Sequence, residues 1–256
     1  MSYRDYEPVD LARAGFKIHQ LEGFEKDNIE NAFAGFVLEV IGKINDGKEA
    51  TVYLCRAGET SAGFELAAAK IFKPRNFRHF NTDKGYRNFK KMRNRRNAAH
   101  LSGKSERGQL AFHRTWVASE WRVLNDLHDI GVRVPRPISQ YDDGVLMEFI
   151  GTAEGAAPRL VNCKLSRDEA IATGERLYQQ VELMLQHRIV HGDLSAYNVL
   201  YDGKEPVIID VPQAMDMDEV PDAYSMMQRD LSNLERYFER NKVDIPFQSL
   251  LASVRF

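Results

Sequence analysis

The chain of 256 residues could form one large domain or two small lobes around a substantial core. Its 43% hydrophobic and 28% charged residues, with a formal net charge of -2, are those of an ordinary globular protein. Its two cysteines, Cys55 and Cys163, form no C-x-x-C pair, which argues against a disulfide framework or a zinc site and fits a reducing compartment.

Residues 1–35 are mixed and polar, with weak helical periodicity over residues 28–36. They predict an N-terminal extension that packs loosely on the part that follows. The first eight residues are too polar for a signal peptide, and the sequence contains no run of 18 apolar residues. We therefore expect a cytoplasmic protein with no membrane partner.

Two β-rich stretches follow, with a polar, glycine-containing connection between them. Residues 36–41 and 51–55 favour strands, and residues 42–50 read Gly-Lys-Ile-Asn-Asp-Gly-Lys-Glu-Ala. Glycines in such a turn let the backbone approach phosphate oxygens closely. The turn is neither G-x-G-x-x-G nor a Walker A motif, so a plain β-hairpin fits the pattern equally well.

A single lysine interrupts the next apolar strand, residues 66–72. Lys70 is costly to bury there unless it meets an anion. In a nucleotide site, such a lysine clamps the α- and β-phosphates and is held by a glutamate on a helix. Glu120 lies near the middle of a helix predicted over residues 115–129, and it is the natural partner. The alternatives are an edge-strand lysine and a solvent-facing glutamate.

Residues 73–114 form a strongly basic segment. They hold 13 of the 35 lysines and arginines but only two acids, Asp83 and Glu106. Aromatic residues are interleaved with the charges, which suits RNA or another polyanion. The alternative is a solvated, partly disordered insertion that is held by the protein's own acidic surface.

The next elements lead towards the C-terminal part. Residues 132–138 predict an extended connector with two prolines, and residues 144–151 predict a strand. Residues 148 and 150 would present backbone groups on the same edge of that strand, one acceptor and one donor for a purine. A domain boundary is expected near residue 151. Ser166 and Glu169 predict a capping box at the start of a helix that reaches about His187, and residues 222–242 predict another helix.

The chemistry is concentrated in residues 191–200, His-Gly-Asp-Leu-Ser-Ala-Tyr-Asn-Val-Leu. Asp193 and Asn198 have the H-x-D-x-x-x-x-N spacing of a phosphotransferase catalytic loop. Two short strands joined by a turn would place Asn198 beside Asp210, and their oxygens suit Mg²⁺. Asp193 would then accept or orient the proton of an attacking hydroxyl. The alternative is that Asp193 and Asn198 are ordinary turn residues.

Taken together, these motifs resemble the RIO family of atypical serine/threonine protein kinases, from about Gly42 to Asn241. The subgroup that the chain most resembles has S-T-G-K-E-A in its phosphate loop, where this chain has Asn45 and Asp46 in place of Ser-Thr. Pro212 stands where the family often has serine. The resemblance rests on Gly47-Lys48-Glu49-Ala50 with Val52-Tyr53, Lys70, the basic stretch before Trp116 and Glu120, Met147–Gly151, His191–Asn198, Ile208–Val211, and Arg229-Asp230 with Asn233.

The resemblance implies an α+β, two-lobed kinase-like fold with a β-rich N-lobe and a mainly helical C-lobe. Little chain follows Asp210, so the long activation segment and the peptide-binding subdomain would be absent. The implied domains are an extension (1–35), an N-lobe (36–150) with the basic insertion, and a C-lobe (151–256). The implied ligands are ATP and Mg²⁺, with Mn²⁺ as a substitute. The implied site residues are Gly42, Gly47, Lys48, Glu49, Ala50, Val52, Lys70, Glu148 and Ile150 for the nucleotide, Asn198 and Asp210 for the metal, and Asp193, Lys70, Glu120 and Asp210 for catalysis.

Four functions remain open from the sequence. The first is a serine/threonine protein kinase that also phosphorylates itself. The second is an ATPase switch with a phosphorylated Asp210 that acts on a ribosomal particle in small-subunit assembly, which the basic segment favours. The others are an aminoglycoside-type small-molecule kinase, against which Ser195 and Tyr197 argue, and an inactive RNA-binding scaffold, which would need none of the chemical groups.

Overall fold

A computed structural model describes residues 23–58, 60, 63–73, 106–152, 155–211, 214–219 and 222–253. The first 22 residues and most of the basic segment lie outside this range. The predicted arrangement of the basic insertion therefore also falls outside the described residues. The described part consists of an antiparallel sheet followed by a mainly helical region. This confirms the predicted α+β architecture.

The N-terminal part is a five-stranded sheet in the order β1-β2-β3-β5-β4, with antiparallel pairing throughout. Its strands are β1 (Val37–Asp46), β2 (Ala50–Ala57), β3 (Leu66–Phe72), β4 (Pro137–Tyr141) and β5 (Gly144–Glu148). The central strand β3 carries Lys70, paired with Val52 on one side and Val145 on the other. Lys70 is therefore in an interior strand, and the edge-strand alternative is wrong.

The connection between β1 and β2 is shorter than the sequence predicts. Strand β1 continues to Asp46, so that the turn is only Gly47–Glu49, closed by a hydrogen bond of 3.0 Å from Gly47 N to Ala50 O. Strand pairing continues through three register irregularities, and Gly42 lies opposite Leu54. We call residues 47–49 the phosphate turn.

Helix α1 (Gly23–Ala32) packs against this sheet. Ile29 and the following Phe33 are 5% and 1% exposed, and they join the core of strands β1 to β3. The Glu30 carboxylate also accepts a hydrogen bond of 2.9 Å from the N–H of Val40, at an irregularity of β1. The expectation of loose packing is therefore wrong for this part of the extension, because apolar burial and a backbone contact fix it.

Helix α2 runs from Glu106 to Asp129 and is longer than predicted. It begins nine residues before Thr115, inside the basic segment. Buried residues such as Val117, Leu124 and Leu127 connect it to the core of the helical part. The helix ends before Gly131, whose φ of +90° is a backbone conformation that glycine adopts without strain.

The C-terminal part contains helices α3 (Arg167–Gln186) and α4 (Ala223–Arg240) and a final 3₁₀ helix, Phe247–Ser253. The capping box of Ser166 and Glu169 is confirmed. Short antiparallel pairs lie between and beside these helices: β6 (Gly151–Thr152) with β7 (Gly155–Ala156), β8 (Ile189–Val190) with β11 (Met215–Asp216), and β9 (Val199–Tyr201) with β10 (Pro206–Ile208). Among the described residues, no helix is both long enough and apolar enough to span a membrane.

Candidate active site

A cleft of about 370 Å³ lies between the sheet and the helical part. Its walls come from the phosphate turn, strand β3, helix α2, the chain around β5, and the strands β9 and β10 with their flanking segments. The lining residues are Ile44, Asn45, Gly47, Lys48, Glu49, Ala50, Val52, Ala68, Lys70, Glu120, Leu124, Pro135, Met147, Glu148, Phe149, Ile150, Ala156, Ala157, Arg159, Leu200, Ile209, Asp210 and Val211.

Three charged side chains meet at the inner end of the cleft. Lys70 Nζ lies 2.6 Å from Glu120 Oε1 and 2.8 Å from Asp210 Oδ1. The side chains of Lys70 and Glu120 are 10% and 5% exposed, whereas that of Asp210 is 50% exposed. One ammonium group therefore joins a buried glutamate on α2 to an accessible aspartate that follows β10.

The protonation states follow from this arrangement. Burial acts to lower the pKa of Lys70, but the carboxylates of Asp210 and Glu120 outweigh it and raise that pKa above its ordinary value. Lys70 in turn holds the pKa of Asp210 below its ordinary range. Burial raises the pKa of Glu120 to about 7, against the opposing effect of Lys70. Asp210 is therefore ionised near neutral pH, as an oxygen ligand for a cation must be.

The loop of residues 191–198, which we call the HGD loop, lies next to this cluster. The Asn198 amide nitrogen donates a hydrogen bond of 2.9 Å to the backbone oxygen of Asp193. The backbone N–H of Ile209 donates one of 3.0 Å to the backbone oxygen of Asn198. The antiparallel pair of β9 and β10 thus brings Asn198 beside the segment that carries Asp210, as the sequence predicts. The Asp193 side chain is exposed.

His191 is a structural member of this loop. Its imidazole is 2% exposed, and its Nε2 lies 3.2 Å from the backbone oxygen of Ile209. The Asp193 N–H donates to His191 Nδ1 at 3.4 Å. Burial lowers the pKa of His191, so the ring is neutral, with Nε2 as donor and Nδ1 as acceptor. It ties the HGD loop to the residue before Asp210.

Side chains of helix α4 hold the backbone of the HGD loop in place. The Gly192 N–H donates a hydrogen bond of 2.7 Å to Asp230 Oδ2, and the Arg229 guanidinium donates to the Gly192 oxygen. Asn233 donates one of 3.2 Å to the Leu194 oxygen. Burial raises the pKa of Asp230 to about 7. Three side chains of one helix thus fix the backbone on both sides of Asp193.

The phosphate turn is held differently. Asp46, the last residue of β1, accepts hydrogen bonds from Thr51 Oγ1 at 2.9 Å and from Lys73 Nζ. Lys73 Nζ also donates to the Gly47 oxygen at 2.9 Å, and the Lys73 N–H donates to the Glu49 oxygen at the same distance. The Asp46 and Lys73 side chains are 54% and 43% exposed. This pair depends on Asp46, one of the two positions that differ from the S-T-G-K-E-A pattern.

The opposite end of the cleft is the edge formed by residues 148–150. The two carboxylate oxygens of Glu148 accept hydrogen bonds of 2.7 and 2.9 Å from the Arg133 guanidinium. Burial acts to raise the pKa of Glu148, but Arg133 and the N–H of Arg136 outweigh it and hold that pKa below its ordinary value. Backbone bonds occupy the Glu148 N–H and the Ile150 carbonyl. The complementary groups, the Glu148 carbonyl and the Ile150 N–H, are the ones that a purine could use.

The residues predicted from the sequence are distributed in three ways. Ten of them line the cleft together: Gly47, Lys48, Glu49, Ala50, Val52, Lys70, Glu120, Glu148, Ile150 and Asp210. Asp193 and Asn198 lie next to the cleft rather than in its wall, joined to it through Ile209. Gly42 is not brought to the site, because it remains buried and paired inside β1.

The arrangement suits a magnesium ion bound together with phosphates. Because the Asn198 amide nitrogen is engaged by Asp193, its amide oxygen is the group left for a cation, and the Asn198 backbone is hydrogen-bonded to Ile209, the residue before the ionised Asp210. Among the described residues no three His, Cys, Asp or Glu side chains cluster as a metal site. The donor set therefore fits an ion that takes two protein oxygens and completes its shell with phosphate oxygens and water.

Comparisons with known proteins show which family the chain is similar to. The family model of the RIO domain matches residues 67–250. The chain is 31% identical over 212 residues to the serine/threonine-protein kinase RIO1 of Homo sapiens, a match covering 82% of this chain and 35% of that protein. It is 31% identical over 214 residues to the RIO-type serine/threonine-protein kinase Rio1 of Haloferax volcanii, covering 82% of this chain and 66% of that protein.

A solved structure shows the same fold. The structure resembles the Rio2 kinase-ADP/Mg²⁺-phosphoaspartate complex from Chaetomium thermophilum with a TM-score of 0.60 at 21% identity, covering 95% of this chain and 73% of that one. The chain spans only 35% of the human relative and 66% of the archaeal relative.

Proposed function

The chain belongs to the RIO domain family, and on that premise we propose that it transfers the γ-phosphoryl group of ATP to serine or threonine hydroxyls of proteins, including its own. The observation that carries this proposal is the cluster of Lys70, Glu120 and Asp210 at the inner end of the cleft, with the HGD loop beside it. Phosphoryl transfer needs a lysine that is held in place, here Lys70, and an ionised aspartate, here Asp210. It also needs a second, accessible aspartate, here Asp193.

In this proposal each side chain has a separate task. Lys70, fixed by Glu120, binds phosphate oxygens of ATP, and the phosphate turn covers them with its backbone. Asn198 and Asp210 hold Mg²⁺, which would neutralise charge on the phosphates. Asp193, exposed and fixed through its backbone, orients the attacking hydroxyl and accepts its proton. The edge of Glu148 and Ile150 receives the adenine.

A second candidate activity is an ATPase cycle in which Asp210 itself accepts the phosphoryl group. The Asp210 carboxylate is half exposed and held ionised by Lys70, which leaves it both accessible and nucleophilic. The Chaetomium Rio2 complex contains a phosphoaspartate. Water would then release phosphate from Asp210 and restore the carboxylate.

Several finer features belong to the same proposal. We propose a cytoplasmic protein with lobes at residues 36–150 and 151–256, in which Mn²⁺ can replace Mg²⁺. Residues 73–114 would bind RNA or a ribosomal particle, because basic and aromatic residues alternate there. The protein substrate would approach Asp193 from solvent.

The test is incubation with γ-labelled ATP and Mg²⁺, followed by acid and hydroxylamine treatment of the labelled protein. Label that survives both treatments is phosphoserine or phosphothreonine and supports the protein kinase. Label released by hydroxylamine is an acyl phosphate and supports the ATPase cycle at Asp210.

Two variants assign the roles. Asp193→Ala should lower γ-phosphoryl transfer to a protein by at least about 10³-fold while Mg·ATP still binds, because only the transfer step uses its carboxylate. Asp210→Ala should lose the Mg²⁺-dependent part of ATP affinity. Asp129→Asn, at an aspartate 78% exposed at the end of α2, is the matched control. Transfer by Asp193→Ala near the unmutated rate would remove Asp193 from the mechanism.

A further inference from the structure

Residues 157–162 form a segment with no role assigned so far, and Ala157 and Arg159 of this segment line the cleft. Its backbone is fixed on three sides. The Tyr201 N–H donates a hydrogen bond of 2.9 Å to the Pro158 oxygen, and Arg159 forms a β-bridge with Leu200 of strand β9. The Val161 N–H donates one of 3.0 Å to the Ala196 oxygen in the HGD loop.

Helix α4 adds a further contact to this segment. The Tyr237 hydroxyl donates a hydrogen bond of 2.8 Å to the backbone oxygen of Leu160, which is fully buried. The segment is therefore fixed relative to β9, the HGD loop and α4 together. A side chain that extends from it into the cleft starts from a preorganised backbone, which lowers the entropy lost on binding a ligand.

Arg159 is the cation of this segment, and it lines the cleft. Over the parts of the chain that the structure describes, its exposed guanidinium makes no ion pair and donates no hydrogen bond. Lys70 differs, since two carboxylates already engage its ammonium group. Lys48, the other cation in the wall, lies across the cleft in the phosphate turn. The guanidinium donors of Arg159 are therefore available to a ligand in the cleft.

Arg159 lines the cleft beside strand β9, the strand that follows Asn198. Arg159 and Asp210 line the same cleft, and Leu200, the bridge partner of Arg159, is two residues from Asn198. The neighbouring strand β9 begins directly after Asn198, the second proposed metal ligand. An anion near Asp210 and Asn198 would therefore come within the field of a guanidinium that has free donors.

We propose that Arg159 is a second phosphoryl-binding cation of the cleft, which donates hydrogen bonds to phosphoryl oxygens near Asp210. The inference rests on the proposed function and adds to it a residue that acts from the helical part of the protein, opposite Lys70. A planar guanidinium matches two oxygens of a phosphoryl group at once, whereas an ammonium group acts as a point charge. The oxygens can belong to a bound nucleotide or to a phosphoryl group on Asp210.

The first arm of the test measures binding of ADP and adenosine, each in the presence of Mg²⁺, to the full chain and to three variants. Arg159→Ala should weaken ADP binding by about tenfold and leave adenosine binding unchanged, because only ADP offers phosphoryl oxygens. Arg159→Lys keeps the positive charge but loses the planar pair of donors. Its ADP affinity should lie between those of Arg159→Ala and the unsubstituted chain. Arg167→Ala, at an exposed arginine in the first turn of α3, should match the unsubstituted chain in both assays.

The second arm measures the lifetime of hydroxylamine-sensitive label after a chase with unlabelled ATP. If the oxygens belong to a phosphorylated Asp210, Arg159→Ala should change that lifetime by about tenfold while ADP affinity stays constant. Thermal unfolding of each variant shows whether it is folded, and the selectivity for ADP over adenosine separates a phosphate contact from a general loss of structure.

The outcomes separate the two proposals. Equal losses of ADP and adenosine affinity in Arg159→Ala, or no change in either arm, would overturn the assignment of Arg159 while the enzyme keeps its activity. Failure of the unsubstituted chain to bind Mg·ADP and to become labelled would overturn the proposed function, and with it the role of Arg159.

Discussion

The phosphate turn lines the cleft and the HGD loop lies next to it, but the protein holds them in different ways. The HGD loop is fixed by side chains of α4 whose key member, Asp230, is 3% exposed. The phosphate turn is fixed by the Asp46–Lys73 pair, whose side chains are 54% and 43% exposed. One region is anchored inside the core, and the other is tied at the surface.

This difference separates two requirements of the proposed reaction. Groups that act on the transferred phosphoryl must be preorganised, because their reorganisation would add to the barrier. The turn that covers the phosphates must instead let nucleotide enter and leave. An exposed ion pair suits this requirement, because water and salt weaken it. We therefore expect changes at the buried anchor to act on the rate of transfer and changes at the surface tie to act on nucleotide binding.

Among changes to the two anchoring contacts, the largest expected effect is at Asp230. Asp230→Ala removes the acceptor for the Gly192 N–H and should lower the rate of phosphoryl transfer about 10²-fold, since displacement of the HGD loop misplaces Asp193. Asp230→Asn keeps an acceptor of the same shape and should cost about tenfold or less. Single-turnover rates with saturating ATP measure the step directly. Equal rates for the two variants would show that the hydrogen bond to Gly192 does not position the loop.

A second effect concerns pH. The pKa of Asp230 is about 7 in the folded protein and 3.8 ordinarily, so between these values the folded chain binds more protons than the unfolded chain. The free energy of unfolding should therefore fall as pH rises from about 4 to about 7, by a few kcal/mol at most. The cause is burial of a carboxylate whose Oδ1 atom has no hydrogen-bond partner among the described residues.

Asp230→Asn isolates this contribution, because an amide does not titrate. Urea unfolding at pH 5 and pH 8 should show a smaller loss of stability in the variant than in the unsubstituted chain. Glu120, with a pKa of about 7, contributes a slope of the same sign and remains in both proteins as an internal reference. Identical pH slopes in the two proteins would contradict the raised pKa of Asp230.

The contrast between the two regions also explains what the sequence could predict. Asp193, Asn198 and Asp210 are close in sequence, and their spacing within one loop and one hairpin makes their proximity a local property. Lys70 and Glu120 are 50 residues apart, and their pairing was predicted from the cost of burying an isolated lysine.

Other contacts have no local signal in the sequence. The acceptor for Gly192 is 38 residues away on α4, and Asp230 within an amphipathic helix looks like any other helical acid. Arg159 lines the cleft in a segment that is bridged to Leu200, 41 residues further along the chain. The length of the phosphate turn also depends on pairing that continues through irregularities in β1, which composition alone does not predict.

The smallest expected effect is at the surface tie. Asp46→Asn and Lys73→Met should each change the KM for ATP by no more than about threefold at low salt, because exposed ion pairs contribute little and are screened. The double variant should resemble either single variant, since both remove the same interaction. The differences from the unsubstituted chain should shrink further at 0.5 M salt, an ionic strength at which surface pairs are largely screened.

The transfer rate at saturating ATP should not change, because the HGD loop has its own anchor. A loss of transfer rate in Lys73→Met as large as that in Asp230→Ala would mean that the turn, and not the loop, positions the reacting groups.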